Sequence, residues 1–265
     1  MLMTAASVML SGCTLGGSAE NLLSPPVIYE EQEDIYNALR KSISGNITLQ
    51  YPRSGAYRSA FVIKDIDGNG DDEAVVFYSV HDQIRINILD KDDEGGWQSV
   101  CDLEGSGTGI DRMQVDSIGS AERTSIIVGY SVSGGDNILK VYSYSGGKVS
   151  ETYTDSYSSF FTFDLNGDGQ DGLCIIHSNN ENIGRKADFS VITDTGTQVV
   201  KKDTVALNGK ATDFVGVALG NVGENTPAVF IDELSGGQLL TEIIYIAADT
   251  LRNPLYLDER QMISD

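Results

Sequence analysis

Two short acidic loops constrain this chain more than any other feature. The first, Asp65-Ile66-Asp67-Gly68-Asn69-Gly70-Asp71-Asp72-Glu73, lies between the apolar runs Ala60–Ile63 and Ala74–Tyr78. The second, Asp164-Leu165-Asn166-Gly167-Asp168-Gly169-Gln170-Asp171-Gly172, lies between Phe160–Phe163 and Leu173–Ile176. Alternate residues of so tight a loop aim inward, and glycine supplies the positive φ that the turn requires. In the first loop Asp65, Asp67 and Asn69 offer side-chain oxygens, Asp71 offers its carbonyl, and Glu73 closes the far side. In the second, Asp164, Asn166 and Asp168 match and the carbonyl is that of Gln170. Its ninth position is Gly172, so Asp171 or water must substitute and the site should be weaker. Ca2+ is a hard cation that takes six to eight oxygens at about 2.3–2.6 Å, and this donor set suits it. The competing explanation is a pair of Asp/Asn/Gly turns with no metal.

The flanks decide what kind of loop this is. A helix-loop-helix calcium site needs Glu at its twelfth position, where this chain has Val76 and Ile175. Apolar strand-like runs flank both loops, which also excludes a dockerin-type pair of loops followed by helices. Two fainter copies exist. One contains Asp116, Ser117, Gly119 and Ser120 and runs into Ile126–Val128; the other contains Gly220, Asn221 and Glu224 and runs into Ala228–Ile231. Both lack the full set of loop carboxylates and read as structural turns. Asp65, Asp116 and Asp164 are 51 and 48 residues apart. About four strand-like runs with Gly-rich turns in each such period point to the blades of a β-propeller.

Phe61 to Val76 and Phe160 to Ile175 resemble FG-GAP or VCBS-type repeats, the calcium-loop blades of integrin α-chain heads and many bacterial surface proteins. The resemblance covers about residues 57–258. It implies an all-β propeller whose loops join the first two strands of a blade and share one face. The units are expected at about 57–106, 107–156, 157–210 and 211–258, with 259–265 as the lead-in to another. Four blades are few for this family. The expected ring therefore stops short of closure, with a complete small propeller as the alternative. Residues 29–56 are expected to hold one short helix, with Ile35, Leu39 and Ile43 on one face, and a strand at Ile47–Tyr51 that could close the ring on the final blade.

The N-terminus adds an address. Residues 1–12 are apolar and small, too short to span a bilayer, and Leu10-Ser11-Gly12-Cys13 resembles the lipobox of bacterial lipoproteins. That resemblance implies cleavage before Cys13 and a diacylglycerol on its thiol, although no basic residue precedes the run. Residues 13–28, with Gly16-Gly17-Ser18 and Ser24-Pro25-Pro26, read as a flexible tether. The formal net charge of −21 sets the chain against nucleic acid and anionic lipid surfaces.

Little points to catalysis. The chain has two histidines, His81 and His177, both at strand ends and neither with a recognisable partner. Cys101 and Cys174 read best as buried thiols, with a disulfide open outside the cytoplasm. Trp97, Tyr142, Tyr144, Tyr153 and Tyr157 fit strand packing better than a binding surface. The expectation is a lipid-anchored cell-surface protein, membrane-attached through Cys13, whose calcium-stiffened propeller is a scaffold for a protein or glycan partner. The alternatives are a polysaccharide-acting enzyme or its accessory module, or a purely structural envelope protein.

Overall fold

The computed structural model describes residues 30–119, 123–179, 186–208 and 211–254. The lipobox with Cys13, the tether, Ser120 and residues 259–265 lie outside them. The described chain begins with one helix, α1 (Glu30–Ser42). Glu30, Glu31 and Glu33 sit in its first turn and Arg40 and Lys41 in its last, which suits the helix dipole. Ile35 and Leu39, one turn apart, are its buried face.

The strands of the described residues form four antiparallel sheets. The first holds β1 (Thr48–Leu49), β2 (Phe61–Lys64), β3 (Glu73–Val80), β4 (Gln83–Lys91) and β5 (Trp97–Glu104). The second holds β6 (Gly109–Asp116), β7 (Ser125–Ser131), β8 (Asn137–Ser145) and β9 (Lys148–Tyr157). The third holds β10 (Ser159–Phe163), β11 (Gly172–His177), β12 (Asp188–Asp194) and β13 (Val199–Ala206). The fourth holds β14 (Ala211–Val222), β15 (Thr226–Ser235), β16 (Gln238–Ala247) and β17 (Thr250–Arg252). Each is a four-stranded meander in chain order, with β1 added to the first.

That addition corrects one expectation. The Ile47–Tyr51 stretch does not join the last sheet; Thr48 lies opposite Ser79 and Leu49 opposite Tyr78 of β3. The physical reason is an unfilled edge. β2 is four residues long and pairs only with Glu73–Val76, leaving the far half of the eight-residue β3 open.

Burial orders the sheets into a stack. One core joins the first and second sheets through Val75, Phe77, Ile86, Met113, Val128 and Tyr130. A second joins the second and third through Ile127, Val141, Phe160 and Ile175. A third joins the third and fourth through Ile176, Phe189, Val229 and Ile244. A fourth core lies between α1 and the outer face of the first sheet, where Ile35 and Leu39 meet Val76, Tyr78 and Leu89. The helix thus covers the face that an adjoining sheet would otherwise cover. Among the described residues, no strand pairing and no core joins the fourth sheet to the first.

This explains the strand sequences. Both faces of the first three sheets are covered, so their second strands are almost wholly buried and read as apolar runs. β15 alternates between more and less buried positions, because the fourth sheet has a covered partner on one face only. Leu234 and Leu239 are among the exposed large apolar side chains there. Packing between the second and third sheets is close enough to require glycine at 129. A Cβ there would lie 2.3 Å from the Tyr157 hydroxyl and 2.7 Å from the Phe160 ring.

Polar contacts cross the same seams. Arg112 donates from Nη1 to the Phe160 carbonyl at 2.8 Å and from Nε to Ser54 Oγ at 3.3 Å, tying three parts of the stack together. His177 is buried, with Nδ1 2.9 Å from Asp188 Oδ1 and Nε2 2.7 Å from the Ser156 carbonyl. Asp155 of the second sheet lies 3.6 Å from Nε2 and also meets Lys201 Nζ at 3.2 Å. Burial alone would make the imidazolium more acidic. The carboxylates of Asp155 and Asp188 outweigh that and push it up to about 9.

A raised folded-state value means that the stabilisation is complete below the ordinary imidazole value of about 6.5 and is lost as pH rises through about 9. By linkage, wild-type stability should fall by about 3 kcal/mol between about pH 6 and pH 10 from this group. Urea denaturation across that range should show a clearly shallower fall for His177→Gln; equal slopes would refute the role.

Candidate metal centre

The first loop is built by short backbone bonds to its own side chains. Asp65 accepts at Oδ1 from the Gly68 amide at 2.7 Å and at Oδ2 from the Gly70 amide at 3.0 Å. Asp67 Oδ1 accepts from the Asn69 amide at 3.1 Å, and Asn69 Oδ1 from the Asp71 amide at 2.7 Å. Gly68 and Gly70 have φ of 79° and 96°. No atom lies within 4 Å of where either Cβ would stand, so backbone conformation rather than crowding calls for glycine. Ile66 points the other way, buried in the core shared by the first two sheets. The loop is therefore pinned at one apolar residue while its carboxylates turn outward.

Glu73, the first residue of β3, behaves differently from a loop carboxylate. It is fully buried. Its Oε2 accepts from the Ile66 amide at 2.8 Å, while its Oε1 is buried with no hydrogen-bond partner. Ligand oxygens of Asp65, Asp67 and Glu73 all lie within 4.8 Å of one another. Oxygens that share one Ca2+ at about 2.3–2.6 Å can be no more than about 5 Å apart, so the three match the span of a single coordination shell. Burial raises the Glu73 carboxyl to about 7, with the Ile66 amide opposing and Asp67, Asp90 and Asp65 adding to the rise. Among the described residues, no ion pair from a basic side chain neutralises the group. Lys64, across the strand from Glu73, donates instead to the Val115 carbonyl at 2.9 Å. An unpartnered buried carboxylate oxygen costs free energy unless a proton or a cation meets it. The residues present thus fit a divalent cation, for which Asp65, Asp67 and Glu73 would supply charged oxygens. Asn69 and Asp71 are exposed in the same loop.

The third sheet carries the second predicted loop between β10 and β11. Asp164 accepts at Oδ1 from the Asp168 amide at 3.1 Å and at Oδ2 from the Gly169 amide at 2.8 Å. Asp168 Oδ1 accepts from the Gln170 amide at 2.9 Å, and the Asn166 side-chain amide donates to Asp168 Oδ2 at 2.7 Å. Leu165 is the buried counterpart of Ile66. Gly172 stands where Glu73 stands in the first sheet, so no buried carboxylate closes this loop. Asp171 turns its carbonyl to the Gly119 amide at 2.6 Å. Its carboxyl is raised by burial and by the nearby Asp116 and Asp164. Among the described residues, the only group of three metal-ligating side chains this close is that of the first loop.

The fainter loops are structural where they are described. The second docks on the third sheet: the Asp194 amide donates to the Ile118 carbonyl at 2.9 Å, and Arg123 pairs with the buried Asp194 at 2.6 Å. The fourth is an exposed turn after Val222. Of the two histidines, His177 is the buried clamp and His81 lies in the β3–β4 turn with φ of 51°. Cys101 and Cys174 are free thiols.

Two residues that the loop pattern does not include also border the first centre. They are Asp90 of β4 and Tyr144 of β8, whose Oη is 3.4 Å from Asp90 Oδ2. Only strand register brings them there. No protein-family model matches this chain, and no curated protein matches it.

Because Ile66 pins the loop, Ile66→Ala should lower stability by about 2–4 kcal/mol through the cavity it leaves. Urea denaturation would measure this, and a loss below about 1 kcal/mol would show that the side chain does not anchor the loop.

Proposed function

We propose that this chain is a calcium-stabilised, propeller-type β scaffold, held at a cell surface by a lipid on Cys13, that presents its loops to a protein or glycan partner. The observation that carries the calcium reading is the fully buried Glu73 carboxylate, with one unpartnered oxygen beside Asp65 and Asp67. The loop at Asp164, Asn166, Asp168 and Gln170 is the weaker second site in this reading, because it lacks a counterpart of Glu73. Four blade-like sheets packed face to face, each a four-stranded meander, favour a propeller-type arrangement. In that arrangement α1 takes the place of a blade against the first sheet.

A cleft of about 480 Å3 beside the third-sheet loop supports the binding role. Its apolar lining includes Leu165, Val191, Ile246 and Leu251, and Asp168 and Lys202 are among its polar groups. That size and mixture suit a ligand site. For anchoring, the support is the Leu10–Cys13 lipobox resemblance. Among the described residues no helix is long and apolar enough to cross a membrane.

Calorimetry with Ca2+ and with chelator tests the metal. Ca2+ at 100 times its Kd should stabilise the protein by about 2.7 kcal/mol and raise its melting temperature. Asp65→Ala should abolish most of that rise, and no Ca2+-dependent shift in the wild type would end the calcium reading. For the anchor, Cys13→Ser should move the protein from the membrane to the soluble fraction on cell fractionation; unchanged membrane association would refute lipid attachment at Cys13.

A further inference from the structure

The cation centre of the first loop does not stop at the loop. Ala74 of β3 lies opposite Leu89 of β4, so the next cross-strand position places Glu73 against Asp90. Side chains alternate along a strand, which sets Glu73 on the same face as Val75 and Phe77, and Asp90 on the same face as Ile88 and Ile86. All four apolar residues belong to the core between the first and second sheets. Glu73 and Asp90 therefore both face the second sheet, at the edge of that core.

From the second sheet Tyr144 reaches back across the seam. It is 4% exposed, and its Oη is 3.4 Å from Asp90 Oδ2. Asp90 Oδ1 accepts from the Lys91 amide at 2.7 Å. Burial raises the Tyr144 phenol, and the carboxylates of Asp90, Glu73 and Asp67 raise it further. One hydroxyl thus lies near both the loop carboxylates and the strand carboxylate. The charged groups around Glu73 are Asp65 and Asp67 from its own loop and Asp90 from β4. Lys64 of β2 is turned to the Val115 carbonyl. The cluster has four carboxylates and no ion-paired base among the described residues.

We propose that Asp90 and Tyr144 complete the divalent-cation centre of the first loop, so that one ion bridges the first and second sheets. This rests on the reading that the loop holds calcium. Asp90 stands outside the trio whose oxygens lie within 4.8 Å of one another, so it adds an outer-shell carboxylate beside the ion rather than a direct ligand. Tyr144 is a positioning residue, its O–H donating to Asp90 Oδ2 and holding that carboxylate toward Glu73. Ion occupancy then bears directly on the packing of two sheets rather than on one exposed loop.

The test uses the full chain with Ca2+ and with Tb3+ as a luminescent substitute. Calcium titration calorimetry should show Asp90→Asn weakening the tighter of the two sites by about tenfold or more. Tb3+ emission excited through tyrosine, and displaceable by Ca2+, should be strong in the wild type. Tyr144→Phe should lose most of that emission while keeping its metal-free melting temperature. Wild-type affinity in Asp90→Asn, or undiminished displaceable emission in Tyr144→Phe, overturns this proposal alone. A wild type that binds no Ca2+ at all overturns the loop reading and this extension together.

Discussion

Face-to-face burial of neighbouring sheets is the constraint on which the rest of this structure depends. A four-stranded sheet with apolar side chains on both faces cannot stand alone in water. Here each of the first three finds cover on both sides. Three of the four cores lie between consecutive sheets, and the fourth lies under α1. The helix does for the first sheet what a neighbouring sheet does for the others. At the other end the fourth sheet has one covered face, and its second strand alternates accordingly. A stack capped at one end is the arrangement that solenoid-like proteins use, where terminal elements must be made compatible with water.

The hydrophobic effect that drives this burial is non-directional. The polar contacts that cross each seam supply direction. Lys64 reaches the Val115 carbonyl between the first and second sheets. Arg112 and His177 do the same between the second and third, as does the Arg123 pair with the buried Asp194. Asn208 and Asn253 bind the buried Glu242 of the fourth sheet beside the Ala206 carbonyl of the third. At the buried His177, a displacement of one sheet would break a hydrogen bond across the seam, which is costly.

The candidate metal centre lies at the rim of one such seam. Its loop is tied down at Ile66, inside the core of the first two sheets, and its one buried ligand group, Glu73, begins a strand of that core. The third-sheet loop shares the apolar anchor, Leu165, and the backbone bonds to its first carboxylate, but has glycine where Glu73 stands. The buried carboxylate is thus the main difference in charge placement between two loops that share positive φ at matching glycines, Gly68 and Gly70 against Gly167 and Gly169.

By itself the sequence determined the all-β class, the short helix that precedes the described strands, and the strand-and-turn grouping into four four-stranded sheets. Those follow from local physics: alternating or continuous apolar runs, glycines at turns, and helical spacing of Ile35 and Leu39. It also marked Asp65, Asp67 and Glu73 as a group, because a nine-residue loop keeps them close whatever the rest of the chain does. Tertiary structure decided what depends on register and on which faces meet. It assigned Thr48–Leu49 to the first sheet rather than the last, since that turned on an unfilled half of β3. It put α1 where a sheet would pack. It made His177 a clamp, because Asp155 and Asp188 come from strands of two different sheets. It also placed Asp90 and Tyr144 beside Glu73, from 17 and 71 residues further along the chain. No local spacing encodes such pairs, for they are set by cross-strand pairing and by how two sheets stack.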